Sequence, residues 1–340
     1  MKTFYKKRLC VFLVIIISSV SLFAGRYAGD FMAIGSGVRA LGLGGAYSAI
    51  ADDGSAIYWN ASGISQIKER EVTLMRAFLY DGLAYYDNFT FCLPLPNNAA
   101  LGFNWIRLTI DNIPIYDEKH LIGTNIDQRS AFEELQLTAI PDGAFKSTDD
   151  MFLFAFSRHF NHLFDLGWNL FELPIDLYFG AVFKYINREM FGFSGTGFGF
   201  DISMMMKTDF GMLVDLDWMG DLAWSINFQD IANTKITWDT ESRNVDEVLF
   251  NTKLGIAYFQ PIDRFQSEVI LSYSKDFVYD MTDYGGLAWK YKDLTEIRLG
   301  IYDKNFSAGI GLNLFSFNID YAFLTNNLGN TNRIGIGYRF

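Results

Sequence analysis

Residues 315–323 read FSFNIDYAF, a stretch in which large apolar side chains alternate with small or polar ones. The apolar set is Phe315, Phe317, Ile319, Tyr321 and Phe323, and the intervening set is Ser316, Asn318, Asp320 and Ala322. Successive side chains of a β-strand point to opposite faces, whereas a helix repeats every ~3.6 residues. The stretch therefore predicts a strand with one wholly apolar face.

The same period of two recurs in three other stretches, 197–207, 222–229 and 296–301. A soluble β-sandwich would also alternate, so alternation alone leaves that class open. The character of the two faces separates the classes, because one is large and aromatic while the other carries glycine, serine, asparagine and charge. Lipid outside and a wet or plugged lumen inside require such faces, so the pattern predicts an all-β, transmembrane antiparallel barrel.

Turn signals divide the chain into fourteen predicted strands, with twelve or sixteen as alternatives. They lie near residues 70–80, 85–94, 99–109, 149–159, 177–188, 195–207, 222–230, 250–259, 266–275, 283–291, 294–302, 305–312, 315–323 and 332–340. An even number places both chain ends on the periplasmic side, as bacterial barrels require. Since no linker-like stretch interrupts the series, we expect one barrel domain over residues 67–340.

Alternate connections of such a barrel face alternate compartments, which places the segments near 110–148 and 231–249 outside. The first contains seven acidic and three basic residues, typical of an acidic rim or of an ordinary solvated surface. The connections near 160–176 and 208–221 are longer than periplasmic turns usually are. Short helices or extended strands would explain their length.

The chain begins with features of an export signal over residues 1–24. A basic start is followed by the uncharged apolar stretch Leu9–Phe23 and the small residue Ala24; a membrane anchor is the alternative. Its removal would take the formal net charge from −11 to −15, because four basic residues leave with it. That charge argues against nucleic-acid binding. Only Cys92 would remain, so no intramolecular disulfide is expected.

The C-terminal sequence RIGIGYRF again alternates, with Tyr338 and Phe340 on its apolar face. Such an ending resembles the element of outer-membrane barrels that the barrel-assembly machinery recognises. A terminal aromatic residue present by chance is the alternative. We expect Tyr338 and Phe340 to act as the assembly signal, with the assembly machinery and outer-membrane lipid as partners.

Residues 25–66 lack the period of two, yet they carry apolar side chains that need burial. Gly42, Gly44 and Gly45 permit close backbone approach or positive φ angles. Asp52 or Asp53 is suited to cap a short helix. A phosphate-binding loop is not expected, because no strand precedes the glycines and no Gly-Lys-Ser/Thr follows them. We predict a short helical plug inside the barrel, acting either as static filler or as a gate.

This segment resembles the N-terminal signature of the FadL/PorV family of outer-membrane proteins, in spirochaete and Bacteroidetes-type branches. The shared elements are Gly37–Ala46, Ala51–Asp53 and Tyr58–Gly63, although Ala61 and Ser62 replace the family's Pro-Ala. The resemblance continues more loosely over most of the chain. It implies a fourteen-stranded barrel closed by an N-terminal plug. The plug-motif residues so identified are Arg39, Gly42, Gly44, Gly45, Asp52, Asp53, Trp59 and Asn60.

No catalytic constellation stands out in the sequence. His120, His159 and His162 lack further residues at zinc-ligand spacing, so neither a metal nor a cofactor is expected. An outer-membrane phospholipase or protease is the enzymatic alternative. The resemblance implies FadL-like transport of long-chain fatty acids or other hydrophobic compounds across the cell outer membrane. The other candidate is a PorV-like accessory barrel that holds secreted proteins at the cell surface.

Overall fold

The computed structural model describes residues 29–116, 141–165, 172–278 and 281–340. The predicted signal peptide over residues 1–24 lies outside these ranges, as do His120 and most of the predicted acidic loop. None of the helices in the described part of the chain has both the length and the apolar character needed to cross a membrane.

Short helices come first along the chain and strands follow. The N-terminal helices are α1 Asp30–Ala33, α2 Val38–Gly42, α3 Ala56–Trp59 and a 3-10 helix at Ala61–Gln66. The strands are β1 Glu71–Leu79, β2 Ala84–Leu95, β3 Ala99–Ile115, β4 Gly143–Asp165, β5 Glu172–Met190, β6 Phe193–Asp209, β7 Asp221–Gln229, β8 Thr234–Trp238, β9 Val245–Val248, β10 Asn251–Ile262, β11 Ser267–Asp276, β12 Asp283–Tyr291, β13 Thr295–Tyr302, β14 Asn305–Leu314, β15 Phe317–Leu324 and β16 Thr331–Arg339. Helix α4, Phe210–Val214, lies between β6 and β7.

Fourteen of these strands close into an antiparallel barrel, which confirms the predicted fold and count. Strand β1 closes the ring by pairing with both β2 and β16, so that Val72 lies between Phe91 and Tyr338. Strand β7 pairs directly with β10. The remaining two strands, β8 and β9, form a hairpin whose β8 pairs with the first residues of β6.

The outer face of the barrel is the predicted apolar face. On β15, Phe317, Ile319 and Tyr321 are 40–49% exposed, whereas the intervening Asp320 is 7% exposed. Inclusion of Phe315 in this row was wrong. It lies at the turn between β14 and β15 with φ 55°, because two residues must reverse the chain there.

The wall of the barrel is uneven in height. Strand β4 has 23 residues and β5 has 19, whereas β13 and β15 have 8 each. The connection at 160–176 is largely strand extension, one of the two predicted explanations for its length, since residues 160–165 and 172–176 continue β4 and β5 as paired strands. The connection at 208–221 does contain a short helix, α4. The segment 231–249 contains the β8–β9 hairpin.

The two ends of the barrel are distinct. We call the end where β16 finishes the terminal end, and it carries the β12–β13 and β14–β15 turns. The opposite end, called the loop end, carries the end of β3, the start of β4 and the segment 230–250. The strand ends that flank the two predicted outer loops thus lie at the same end, as an even-numbered barrel requires.

Residues 29–67, called the N-terminal segment, lie within the barrel. The 3-10 helix packs against β3 to β6, and α2 packs against β13 to β16 on the other side. Its large apolar side chains are buried, namely Leu43, Tyr47, Ile50, Ile57 and Ile64. Gly44 has φ +66°, and a Cβ there would lie 2.7 Å from Ile301 N. Only glycine permits the backbone to approach the wall so closely.

Candidate functional site

Arg39 joins the N-terminal segment to the barrel wall. Its Nε donates to both carboxylate oxygens of Glu296 on β13, at 3.1 and 2.9 Å. Its Nη1 donates to Tyr47 Oη at 3.1 Å and to Asp52 Oδ1. Burial alone would lower the pKa of Arg39, but the charges of Asp52 and Glu296 outweigh it and raise that pKa. Arg39 is therefore held as a cation between two carboxylates.

The ion network continues along the wall beyond Glu296. Arg298 Nε lies 3.8 Å from Glu296 Oε1, and Arg298 Nη2 donates to Asp320 Oδ1 on β15. The Arg298 side chain is fully buried. A buried guanidinium needs such counter-charges, because its desolvation would otherwise cost several kcal/mol (~3–5). The network links β13, β15 and the N-terminal segment through charge as well as packing.

Asp53 forms a second contact on the same side of the segment. Its Oδ1 accepts hydrogen bonds from Ser55 N at 2.8 Å and from Ser55 Oγ at 2.6 Å, just before α3. Glu71 on β1 accepts from Gly54 N at 2.7 Å and from Arg339 Nε at 2.9 Å. Burial raises the pKa of Asp53 to about 6, with repulsion from Glu71 adding to the effect and Arg39 opposing it.

Trp59 and Asn60 anchor the middle of the segment. Trp59 Nε1 donates to Ser36 O at 2.6 Å, and its carbonyl accepts from Asn227 Nδ2 on β7 at 2.8 Å. Asn60 Nδ2 donates to Ser48 O at 2.6 Å, while its Oδ1 accepts from Ser62 N at 3.2 Å and caps the 3-10 helix. The two side chains therefore tie separate turns of the segment to each other and to the wall.

The glycines of the motif lie where the segment meets its neighbours. Gly42 lies 3.3 Å, measured from an ideal Cβ, from the Cα of Gly309 on β14. Gly45 has φ +85°, and a Cβ there would lie 3.0 Å from the rings of Trp59 and Tyr284. All eight plug-motif residues thus lie within the segment, but only some of them contact the wall directly.

A cavity lies on each side of the N-terminal segment. The terminal-end cavity has a volume of ≈ 470 Å³ and is lined mainly by charged and polar residues, among them Arg39, Asp53, Glu71 and Asp320. The loop-end cavity has a volume of ≈ 510 Å³. Its apolar lining comprises Met32, Ile34, Leu41, Leu79, Met151, Leu153 and Leu324. The described lining residues of the two cavities do not overlap, so the segment separates them.

Most charges in the loop-end cavity are neutralised by neighbours. Lys184 Nζ lies 2.8 Å from Asp201 Oδ1 and 2.7 Å from Asp230 Oδ1. Lys253 Nζ lies 3.2 Å from Asp276 Oδ1 and 4.5 Å from the ring centre of Trp59. Asp201 is buried and faces the lumen, where it contacts Lys184. Two ammonium groups thus face three carboxylates, and these ion pairs stabilise the wall.

Arg333 on β16 also lines this cavity. Its Nη1 and Nη2 donate to the carbonyl oxygens of Gly35 and Ile34 at 2.9 and 3.1 Å, and within the described chain no carboxylate pairs with it. The guanidinium lies 5.9 Å from the ring centre of Tyr86. Arg333 Nε and Tyr86 Oη are both buried and have no hydrogen-bond partner. Arg333 thus lines the cavity as a cation that keeps one N–H donor without a partner among the described residues.

Sequence reasoning did not find the wall partners of the motif. Glu296, Arg298, Glu71 and Arg333 lie far from residues 36–65 in the chain and follow the ordinary alternation of their strands. The sequence does offer one signal for such partners, because an ionisable residue on the small-residue face of a strand points into the lumen. Tyr338 and Phe340 lie where predicted, on the outer face at the terminal end, with ring centres 5.6 Å apart. Their role as an assembly signal stays a prediction.

No candidate catalytic or metal site emerges from the described residues. No group of three His, Cys, Asp or Glu side chains within them is arranged to hold a metal. His159 Nε2 lies 2.7 Å from Asp176 Oδ1 and its ring stacks on Tyr178. This contact is a structural pairing of β4 with β5.

A closed, even-numbered antiparallel barrel with an apolar outer belt is the architecture of a bacterial outer-membrane protein, and the chain belongs to this class. Neither a protein-family model nor a curated protein matches its sequence.

Solved structures match the fold over almost the whole chain. The toluene transporter TodX of P. putida has a TM-score of 0.50 at 9% identity, covering 90% of this chain and 99% of that chain. The toluene transporter TbuX of Ralstonia pickettii has a TM-score of 0.46 at 11% identity, with coverage of 90% and 98%. A Pseudomonas aeruginosa FadL homologue has a TM-score of 0.47 at 10% identity, with coverage of 90% and 98%. The similarity to TodX establishes a shared fold.

Proposed function

We propose that the protein carries an amphipathic hydrophobic compound across the outer membrane, with long-chain fatty acids as the first candidates. The N-terminal segment is the plug that closes the passage. The observation that carries this proposal is the loop-end cavity, where an apolar lining lies beside the uncompensated guanidinium of Arg333. The fold shared with TodX, a toluene transporter, supports the same class of cargo.

The cavity suits a ligand with an apolar chain and one anionic group. Ligand sites are mostly apolar with a few polar groups that fix orientation. A guanidinium binds a carboxylate through two parallel hydrogen bonds, which makes it a suitable partner for the head of a fatty acid. Arg333 already holds the carbonyls of Gly35 and Ile34, so a carboxylate at Arg333 would compete with the N-terminal segment for the same donors.

Binding measurements with a matched pair of ligands test this proposal. We expect the intact protein in detergent to bind oleate, and Arg333→Gln to weaken that binding about tenfold or more, since a hydrogen bond to a charged group contributes ~1.5–3 kcal/mol. Oleyl alcohol, which lacks the carboxylate, should bind both forms alike. Arg243→Gln, an exchange at an exposed loop position, is the control variant.

Transport is tested separately in vesicles. Intact protein should accelerate oleate entry, measured with an entrapped fatty-acid indicator. If it neither binds nor moves oleate or oleyl alcohol, the transporter proposal fails and the accessory barrel of the PorV type becomes the better explanation. If oleyl alcohol binding falls as much as oleate binding in Arg333→Gln, the proposed role of the guanidinium is wrong.

A further inference from the structure

The connection between β6 and β7, residues 210–220, presents an apolar surface that barrel closure does not explain. Its side chains are 39–66% exposed at five positions: Met212, Leu213, Val214, Leu216 and Trp218. The backbone of this connection is nevertheless well ordered by hydrogen bonds. Phe210 N donates to Gly220 O at 3.1 Å, and Leu216 N donates to Gly211 O at 2.9 Å. An ordered loop with this much exposed apolar surface indicates an apolar partner.

The loop lies against the outer side of the barrel at the terminal end. The ring of Phe210 packs edge-on against outward-facing Tyr258 on β10, with centres 6.4 Å apart. Gly220 N donates to Tyr258 Oη at 3.2 Å, and Gln260 Nε2 donates to the carbonyl of Trp218 at 2.8 Å. Tyr258 and Gln260 share a strand face with Leu254 and Ile256, which are exposed in the apolar belt. The loop is therefore continuous with the lipid-facing surface.

The height of the loop corresponds to the edge of the bilayer. Trp218 lies beside Gln260, four residues along β10 from Ile256. Four residues of strand span about 13 Å, which is ~10 Å along the membrane normal for a strand tilted by ~40°. Ile256 lies at the middle of β10, Asn251–Ile262, and the apolar belt of a barrel is ~25 Å tall. A residue ~10 Å from the level of Ile256 therefore lies near the edge of the belt at the terminal end. Tryptophan is enriched at that level of a membrane.

We infer that residues 210–220 insert into the headgroup and acyl boundary of the leaflet at the terminal end, as a membrane anchor outside the barrel wall. The segment between Lys207 and Lys235 contains no lysine or arginine, so its attraction rests on apolar burial and not on anionic headgroups. Asp215 and Asp217 alternate with Leu216 and Trp218, which keeps one side of the loop in water. A protein partner would have to displace lipid from the adjoining Tyr258 row.

Site-directed spin labelling tests this inference in vesicles of phosphatidylethanolamine and phosphatidylcholine. Leu213→Cys and Trp218→Cys are labelled with a nitroxide in protein produced without residues 1–24, which removes Cys10, while Cys92 is buried and stays unlabelled. Asp263→Cys, exposed in the β10–β11 turn at the same end, is the aqueous control, and Ile256→Cys is the lipid control. Heat-modifiable migration confirms that each variant forms the barrel.

We expect labels at positions 213 and 218 to be more accessible to oxygen than to a water-soluble nickel chelate, as at position 256. Their accessibility should be unchanged when phosphatidylglycerol is added. Labels that behave like the one at position 263 would overturn the inference. Labels shielded from both oxygen and nickel would also overturn it, because they would indicate a protein partner or a second copy of the chain.

Discussion

Arg39 shows how a single side chain can hold the N-terminal segment in place. It satisfies Asp52 within the segment and Glu296 on the wall, so neither carboxylate is left alone in the lumen. A charge removed from water needs a partner with good geometry, and the forked guanidinium can serve two carboxylates at once. Lysine would offer one point charge and could not reproduce this arrangement.

Replacement of Arg39 should destabilise the protein strongly. Arg39→Leu leaves Asp52 without this cation and Glu296 with only the more distant Arg298, and we expect a loss of about 3 kcal/mol. This value is at the low end for a buried pair because the Asp52 side chain is 37% exposed. Urea unfolding followed by tryptophan fluorescence measures it. Arg76→Leu breaks the exposed pair with Asp87 and should cost only ~0–1 kcal/mol. Equal losses in the two variants would contradict the structural role of Arg39.

Asp53 should make the folded protein more stable as the pH falls, whereas a carboxylate held by a salt bridge makes it less stable. Burial raises the pKa of Asp53 to about 6, so the folded protein binds this proton more tightly than the unfolded chain does. Stability attributable to Asp53 therefore rises as the pH falls from 7 to 4. Relative to that of Asp53→Asn, the unfolding free energy of the parent protein should increase by ~1–2 kcal/mol as the pH falls over that range. The unfolding free energies of both proteins across this pH range provide the measurement.

Asp303→Asn, at the exposed β13–β14 turn, is the matched control for Asp53. The difference in unfolding free energy between Asp303→Asn and the parent protein should stay constant between pH 7 and 4. A parent protein that loses stability relative to Asp53→Asn as the pH falls would show that the Asp53 carboxyl is ionised and favourably paired in the folded state.

At the scale of the strand, lipid exposure and lumen exposure alternate residue by residue. On β15, Ile319 lies between the outward aromatic rings of Phe317 and Tyr321, within the apolar belt. Its neighbour Asn318 lines the terminal-end cavity and donates to Asn313 Oδ1 at 2.7 Å. Adjacent residues of β15 therefore face different environments, lipid at Ile319 and the polar lumen at Asn318.

Lysine at these two positions should have opposite consequences. Ile319→Lys places a charge in lipid and should cost ~2–4 kcal/mol, whereas Asn318→Lys meets a charged cavity beside Asp320 and should be tolerated. Reversible folding into phosphatidylcholine vesicles, measured for both variants, gives the two free energies. The face assignment would be wrong if both substitutions were equally tolerated or equally damaging.

Strands in contact with lipid were predictable because lipid enforces the period of two. The extensions of β4 and β5 at 160–165 and 172–176 were not, since the adjacent polar residues Asn161 and His162 are both exposed and fall on opposite faces of β4, so no period of two marks the strand there. The candidate site was half predictable. Its glycines and Asp52 are marked by local sequence, whereas Glu296 and Arg333 reach it only through the register of the closed barrel.

At the scale of the whole molecule, wall and N-terminal segment are complementary in size. Where the segment touches the wall, the inward-facing wall residues are often glycine, as at Gly102, Gly180, Gly255 and Gly300. An added Cβ at each of these positions would lie 2.1–2.7 Å from an atom of the segment. Glycine at these wall positions leaves lumen volume that side chains would otherwise fill, and atoms of the N-terminal segment occupy that volume.

Removal of the segment should therefore open the barrel to water. Deletion of residues 29–60 leaves β1 to β16 intact, but the glycine-lined wall has too few side chains to fill a lumen formed by about fourteen strands. We expect the deleted form to insert into planar bilayers and to conduct small ions in open steps, while the intact protein conducts little. Heat-modifiable migration of both proteins controls for barrel formation. Gly285→Ala controls for a change in the wall itself, because an added Cβ there meets no atom within 4 Å. A deleted form that inserts yet conducts no more than the intact protein would show that residues 29–60 do not seal the lumen.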